Sequence, residues 1–124
     1  SDSLNVNSSA PYGLTIIDKT YAIDSICEKV YISAEVYRET ESKEAAIVME
    51  LYKNGIKTHY DNLMLNDLTD ATGKWDFTTS VLPIDTTFFN ADEFRVFLHN
   101  PSDAPIYIKS LDVSFEYDDY ARSR

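Results

Sequence analysis

Apolar and polar side chains alternate at every second position through much of this 124-residue chain. The alternation covers residues 29–38, 47–52 and 94–99, which are rich in β-branched and aromatic residues. This period is typical of strands with one buried face. Further strands are predicted at 14–19, 56–63, 75–81 and from Ile106 to Phe115. The only helix candidate, Glu39–Ala46, is interpreted as a charged loop.

Strands at this spacing predict an all-β fold, a two-sheet antiparallel sandwich of jelly-roll type with about seven to nine strands. A single sheet would leave an apolar face in water, and a βαβ fold needs helices that the pattern does not contain. We expect residues 1–10 to form a flexible lead-in, 11–117 the sandwich and 118–124 a charged tail.

Two local signals refine the strands. Asn54-Gly55 predicts a type I′ hairpin, because both residues tolerate positive φ angles. Its two-residue turn would pair Tyr52 with Lys57 and Glu50 with His59. One face would then hold Tyr52, Lys57, Glu50, His59 and Asp61, and the core face Leu51, Met49, Ile47, Thr58 and Tyr60. Near the end of the chain, the apolar parity switches at Lys109-Ser110, which predicts a β-bulge.

The outer face is expected to be aromatic. Residues 29–38 would expose Tyr31, Ser33, Glu35 and Tyr37. The loop after Arg38 either returns this strand beside 47–52 or crosses to the other sheet, and the sequence leaves both open. Trp75, the only tryptophan, is predicted to lie in the core with Phe77 and Val81, because the three share one parity.

Charge and composition exclude several classes. Eleven basic and 21 acidic residues give a net charge of −10, which argues against a nucleic-acid partner. No apolar run is long enough to span a membrane. Cys27 is the only cysteine, so no intrachain disulfide forms, and a buried apolar role is expected for it. The chain begins Ser1-Asp2-Ser3 without an initiator Met, so we interpret it as either a trimmed or a mature, processed form.

The last third of the chain resembles a known class. Its motifs are Gly73-Lys74-Trp75-Asp76-Phe77, then Leu82-Pro83, then Phe94–Leu98, and finally the run Pro105–Val113. They resemble the galactose-binding-like β-sandwich modules, including carbohydrate-binding modules of xylanases and cellulases. The Asn100-Pro101 turn is similar to extracytoplasmic domains of Bacteroidetes-type bacteria, which implies an extracytoplasmic location with a signal or anchor segment removed. The resemblance covers roughly residues 30–116. It implies a jelly-roll fold and a ligand-binding role, although this fold hosts many functions.

The resemblance also implies a structural Ca²⁺, commonly held in that family by an Asp pair in the closing strand. Here those positions are Lys109 and Ser110, and a lysine is adverse to a cation that needs oxygen ligands. The calcium is therefore in doubt, and we predict no cofactor. His59 and His99 would bind a metal only on neighbouring strands, so no metal site is predicted. The stretch Asn66–Gly73 is interpreted as an Asx-rich turn.

The candidate ligand-binding residues are aromatic rings suited to stacking on sugars and carboxylates suited to sugar hydroxyls: Tyr31, Glu35, Tyr37, Glu50, Tyr52 and His59. No motif of a hydrolase, nucleotide-binding protein or metalloenzyme occurs, so we predict a non-catalytic module. The expected partner is a glycan or a surface protein. The alternative is a structural or protein-interaction domain, such as an adhesion or spacer unit. The sequence does not determine the ligand or the oligomeric state.

Overall fold

The computed structural model describes residues 4–7, 12–19, 27–83 and 91–117. Eight antiparallel strands and one short helix lie in these segments. The strands are β1 (Leu4–Val6), β2 (Tyr12–Lys19), β3 (Cys27–Arg38), β4 (Ala46–Lys53), β5 (Ile56–Met64), β6 (Lys74–Pro83), β7 (Glu93–His99) and β8 (Ile106–Tyr117), and helix α1 is Leu65–Leu68. The predicted tail, 118–124, lies outside the described residues, as does the side chain of Cys27.

The strands form two four-stranded sheets, ordered β1-β8-β3-β6 and β2-β7-β4-β5. Along most of the chain, successive strands alternate between the two sheets, which is the arrangement of an eight-stranded jelly roll. The predicted all-β sandwich is therefore confirmed. The loop after Arg38 crosses from the first sheet to the second, which settles the alternative that the sequence left open. Residues 39–45 are a loop, as predicted.

The core lies between the inner faces of the two sheets. On β7 the alternation is complete, since Phe94, Val96 and Leu98 are buried while the residues between them are half-buried. The other core residues come from every layer of the sandwich: Val6, Val30, Ile32, Ala34, Val36, Ala45, Ile47, Met49, Leu51, Leu65, Leu82, Ala91, Ile106, Ile108 and Leu111. Burial of this apolar surface is the main force that holds the two sheets together.

Both local signals appear in the structure. Asn54 has φ 52° and Gly55 φ 81°, which confirms a turn with two positive φ angles. On β8, Ser110 pairs with Glu35 and Ile108 with Val36, so Lys109 is the extra residue of a β-bulge. The bulge keeps both Ile108 and Leu111 in the core.

The hairpin register differs from the prediction beyond the pair of Tyr52 and Lys57. Tyr52 pairs with Lys57, but an irregularity follows, and Leu51 then pairs with His59 and Glu50 with Tyr60. The predicted pairing of Glu50 with His59 is wrong, and Tyr60, predicted on the core face, is exposed. One extra residue on β5 moves all later side chains to the opposite face, because the strand period is two.

The predicted burial of Trp75 is also wrong. On β6 the buried residues are Thr78, Ser80 and Leu82, whereas Phe77 and Val81 are exposed and Trp75 is half-buried. The cause is the ladder with β3, which places Thr78 opposite Ala34 and Trp75 opposite Tyr37. Cross-strand partners share a face, so the outward row of β3 determines the outward row of β6.

Part of the expected lead-in belongs to a sheet. Leu4–Val6 pair with β8, and the Val6 side chain is fully buried. These three residues are therefore held by the sandwich. No helix among the described residues is long and apolar enough to cross a membrane.

Candidate functional site

A row of three aromatic rings crosses the outer face of the first sheet. Tyr37 lies opposite Trp75 on one side and opposite Tyr107 on the other. The Tyr37 ring centroid is 5.8 Å from that of Trp75 and 6.2 Å from that of Tyr107, with interplanar angles of 52° and 62°. Such tilted contacts are favourable for aromatic pairs. Because neighbouring strands are about 4.8 Å apart, the row extends about 10 Å across the sheet.

Phe77 extends this row along β6. Its side chain is 61% exposed, which is the largest exposure of an aromatic residue among those described. It follows Trp75 by two residues and therefore projects from the same face. We call Tyr37, Trp75, Phe77 and Tyr107 the aromatic face. A contiguous exposed apolar surface is a feature of interaction sites.

Two charged groups border the aromatic face. The Lys109 Nζ lies 4.4 Å from the Trp75 ring centroid and 3.6 Å from Glu35 Oε2. Lys109 is the bulge residue, so the local irregularity of β8 places an ammonium group on the tryptophan. A cation over an indole ring is attractive and helps to orient it. The aromatic face thus combines rings with one hydrogen-bond donor group and one acceptor group.

Tyr31 lies on the same sheet face, beyond the aromatic rings. Its hydroxyl donates a hydrogen bond of 2.9 Å to Glu116, and Lys29 lies 3.8 Å from the same carboxylate. The hydrogen bond to Glu116 is the main cause that raises the pKa of Tyr31 above its usual value. Tyr31 is thereby engaged within the protein.

The second sheet carries a different outer surface, which we call the charged face: Glu50, Tyr52, Lys57, Tyr60 and Arg95. The nearly buried Glu50 carboxylate accepts hydrogen bonds from the Tyr52 hydroxyl at 2.8 Å and from Lys57 at 2.6 Å. Arg95 lies 4.1 Å above the Tyr52 ring and pairs with Glu93. These contacts connect three neighbouring strands.

The pKa values of two groups in this network are raised by their surroundings. Burial, followed by the hydrogen bond to Glu50, raises the pKa of Tyr52. The hydrogen bond to Glu50 also raises the pKa of Lys57. Beside the network is a shallow depression of about 170 Å³, lined by Val48, Glu50, Lys57, Tyr60, Phe97 and His99. Since the Glu50 carboxylate is nearly buried and already accepts from both Tyr52 and Lys57, the network has the character of a structural cluster.

The six candidate residues do not form one site. Tyr31, Glu35 and Tyr37 lie on the outer face of the first sheet, whereas Glu50 and Tyr52 lie on that of the second. His59 is on β5, opposite the core residue Leu51. The prediction missed Trp75, Phe77, Tyr107 and Lys109 as members of the aromatic face. Two features of the sequence pointed to them: the bulge at Lys109, and the odd-numbered positions of Trp75 and Tyr37 in their strands. The strand register that brings these residues together is set by the tertiary structure and could not be read from the sequence.

The structure does not favour the implied calcium site. Lys109 occupies the relevant strand position, and its ammonium group contacts Trp75 and Glu35. Within the described segments, no group of three His, Cys, Asp or Glu side chains is arranged to hold a metal. His59 and His99 lie on β5 and β7, which β4 separates. The absence of a cofactor stays a prediction.

The stretch Asn66–Gly73 is held by a buried arginine. The Arg38 guanidinium is almost fully buried and donates to the carbonyl oxygens of Thr69 at 2.6 Å and Ala71 at 3.2 Å, and to the Asn66 side chain. The Thr69 hydroxyl donates in turn to Asp76. These hydrogen bonds satisfy polar groups of the loop and fix the position from which β6 begins.

Comparisons with known proteins establish the fold and no closer relationship. No protein-family model matches the chain, and no curated protein matches it. Among solved structures, the VP2 subviral particle of infectious bursal disease virus has a TM-score of 0.55 at 12% identity, over 94% of this chain and 32% of that one. The enzymatically active domain of tailspike protein 4 from bacteriophage CBA120 has a TM-score of 0.54 at 12% identity, over 92% and 15%.

A further neighbour is the CBM22-1 xylan-binding domain of Paenibacillus barcinonensis Xyn10C, with a TM-score of 0.48 at 16% identity, over 80% of this chain and 62% of that domain. By comparison, this chain spans only about a third or less of the length of the viral VP2 and tailspike chains. At these identities the likeness concerns the fold alone, and it agrees with the β-sandwich that the sequence resemblance implied.

Proposed function

We propose that this chain is a non-catalytic binding module that recognises a glycan through its aromatic face. One observation carries the proposal: Trp75 and Phe77 lie on the outer face of β6, and Tyr37 and then Tyr107 continue the row from Trp75 across the sheet, although the opposite face of that sheet forms the core. Phe77 is largely exposed and the other three rings are half-buried, although their full burial would stabilise the fold. An exposed apolar surface rimmed by polar groups is typical of a ligand site.

The surroundings of the rings suit an uncharged, hydroxyl-rich ligand. Stacking on a ring requires a ligand with an apolar face, and Lys109 and Glu35 supply a donor and an acceptor for hydroxyl groups. The chain carries a net charge of −10, which disfavours polyanions. A neutral polysaccharide meets both conditions. An extracytoplasmic location, where such polymers are encountered, is part of this proposal.

The test is a titration with a panel of neutral polysaccharides. Trp75 is the only tryptophan, so its fluorescence reports directly on the proposed site. We expect a shift of its emission on binding, and a loss of affinity of about tenfold in Phe77→Ala, which corresponds to ~1.4 kcal/mol for one stacked ring. Trp75→Ala, followed by calorimetry, should lose at least as much.

Tyr60→Ala is the matched control, because Tyr60 is also a well-exposed ring but belongs to the charged face. It should bind like the unmodified protein. Circular dichroism would establish that each variant is folded. The proposal fails if no polysaccharide in the panel binds, or if Phe77→Ala and Trp75→Ala bind as tightly as Tyr60→Ala.

A further inference from the structure

Among the described strands, β6 forms one edge of the first sheet. β6 is the last strand in the order β1-β8-β3-β6, and in the segments that the structure describes no strand pairs with its other side. β6 is ten residues long and pairs with β3 from Arg38–Lys74 to Lys29–Pro83 without a bulge. A long and regular edge presents a continuous row of backbone donors and acceptors, which is a template for another strand.

The opposite sheet shows how this protein protects an edge. β5 carries Lys57, His59 and Asp61, and its ladder with β4 is interrupted next to Tyr52. Charges and bulges of this kind discourage pairing between molecules. β6 has neither feature along most of its length, because its two charged residues, Lys74 and Asp76, lie at its beginning.

Two large apolar side chains of β6 are exposed. Phe77 is 61% and Val81 47% exposed, and the small residue Thr79 lies between them on the same face. This pattern is symmetric about Thr79, with a large apolar group two residues away on each side. A symmetric pattern is what a strand needs in order to pair with its own copy around a twofold axis.

We propose that β6 pairs antiparallel with β6 of a second copy of this chain, with the twofold axis at Thr79. In this register Phe77 lies opposite Val81 of the second copy, and Val81 opposite its Phe77. Each exposed apolar side chain thus gains an apolar cross-strand partner. The first sheet of one copy and the first sheet of the other then form one continuous eight-stranded sheet.

The charges are compatible with this register. Asp76 lies opposite Leu82 of the second copy, and Lys74 lies beyond the end of the paired segment, so no like charges of β6 meet. The chains nevertheless repel each other through a net charge of −10 each. Because salt screens this repulsion over a Debye length of about 10 Å at 0.1 M, dimerisation should strengthen as salt is added.

The size of the contact predicts a weak dimer. The nine paired residues, Trp75–Pro83, at about 3.4 Å each give an edge of ~31 Å, and a sheet about 10 Å thick then buries roughly 310 Å² per copy. This area is below that of stable complexes, which bury about 1,200 Å² or more in total. We therefore expect a reversible dimer with a dissociation constant on the order of 100 μM.

The dimer would place both aromatic faces on the same side of one sheet. If the proposed glycan binding holds, a polymer spanning the two faces would be bound with higher avidity than by either copy alone. The dimer itself does not depend on that function, because its register follows from the edge strand.

The experiment is sedimentation velocity at protein concentrations from ~10 μM to ~1 mM, a range that brackets the expected dissociation constant, in low and high salt. The unmodified chain should shift from monomer towards dimer within this range. Thr79→Lys and Thr79→Glu each place like charges against each other at the twofold axis, and each variant alone should remain monomeric. An equimolar mixture of the two should restore the dimer, because opposite charges then meet.

Thr58→Lys is the matched control, since Thr58 is an exposed threonine on the edge strand of the other sheet, and it should dimerise like the unmodified chain. Hydrogen exchange of the β6 amides gives a second readout that needs no variant, and protection should rise with protein concentration. A monomer at the highest concentration in high salt, a dimer that both Thr79 variants retain, or a mixture that stays monomeric would each overturn the proposal. Monomeric Thr79 variants that still bind glycan at one site would separate the two proposals.

Discussion

Asn100 ties the first strand of the sandwich to the loop that follows β7. Its side chain is fully buried, and its Nδ2 donates to the carbonyl oxygens of Val6 at 2.7 Å and Ala104 at 2.9 Å. Its Oδ1 accepts from the backbone N and the hydroxyl of Ser102, at 3.1 Å and 2.7 Å. All the hydrogen-bonding groups of the amide are therefore used.

Asn100→Ala removes these bonds at a buried position. The Val6 carbonyl loses this donor inside the protein, which costs ~1–3 kcal/mol for an unsatisfied buried group. The Ala104 carbonyl keeps the Ser102 hydroxyl at 3.3 Å, so its loss is smaller. With the lost bonds to Ser102, we expect the free energy of unfolding to fall by about 3 kcal/mol.

Equilibrium unfolding in guanidinium chloride, followed by Trp75 fluorescence, measures this change. Ser102→Ala is the control, because it removes one hydroxyl and leaves Asn100 bonded to Val6, and it should cost about 1 kcal/mol. Asn100→Ala should also raise amide exchange selectively in Leu4–Val6, which pair with β8 at the edge of their sheet. A cost equal to that of Ser102→Ala, or unchanged exchange in β1, would refute the anchoring role of Asn100.

Two further predictions concern pH and backbone geometry. The pKa of Tyr52 is raised in the folded protein, so its contribution to stability is complete below the pKa of an unfolded tyrosine, about 10, and is lost as pH rises through the folded pKa. Tyr52→Phe should therefore weaken the loss of stability as pH rises above about 10, as measured by urea unfolding, and equal losses in both proteins would contradict this. Gly73 has φ +72° with no atom within 4 Å of an added Cβ, so Gly73→Ala should cost about 1 kcal/mol through backbone strain alone. Gly73→Asn should cost less in the same assay, because asparagine tolerates this conformation, and the reverse order would contradict the reasoning.

The features that the sequence predicted correctly depend on neighbouring residues. The turn at Asn54-Gly55 follows from the φ angles those two residues accept, and the bulge at Lys109 from a change of apolar parity within one strand. The alternation along β3 and β7 identified their buried sides, because one side of each strand is clearly apolar. The sandwich follows from these strands, since each sheet must cover its apolar face.

The errors arose where the chemistry of one strand does not identify its buried side. On β6, the odd positions hold Trp75 and Phe77, and the even positions hold Thr78 and Ser80, so hydrophobicity favoured burying the rings. Pairing with β3 buries Thr78 instead of the rings. Ala34 faces the core, and Thr78 lies opposite Ala34 and therefore on the same face. The position of His59 likewise depends on an irregularity in β5 that leaves no mark in the residue pattern.

Strand formation, the positions of the turns and the layering into two sheets are all encoded locally, because they follow from conformational preference and from the need to bury apolar side chains. Which rings remain in water depends instead on how distant strands align. That alignment brought Trp75, Tyr37 and Tyr107 into one row across three strands and joined Leu4–Val6 to a strand about a hundred residues later. Register between distant strands minimises the free energy of the whole sandwich, and a single strand can present its less apolar side to the core when its partners require it.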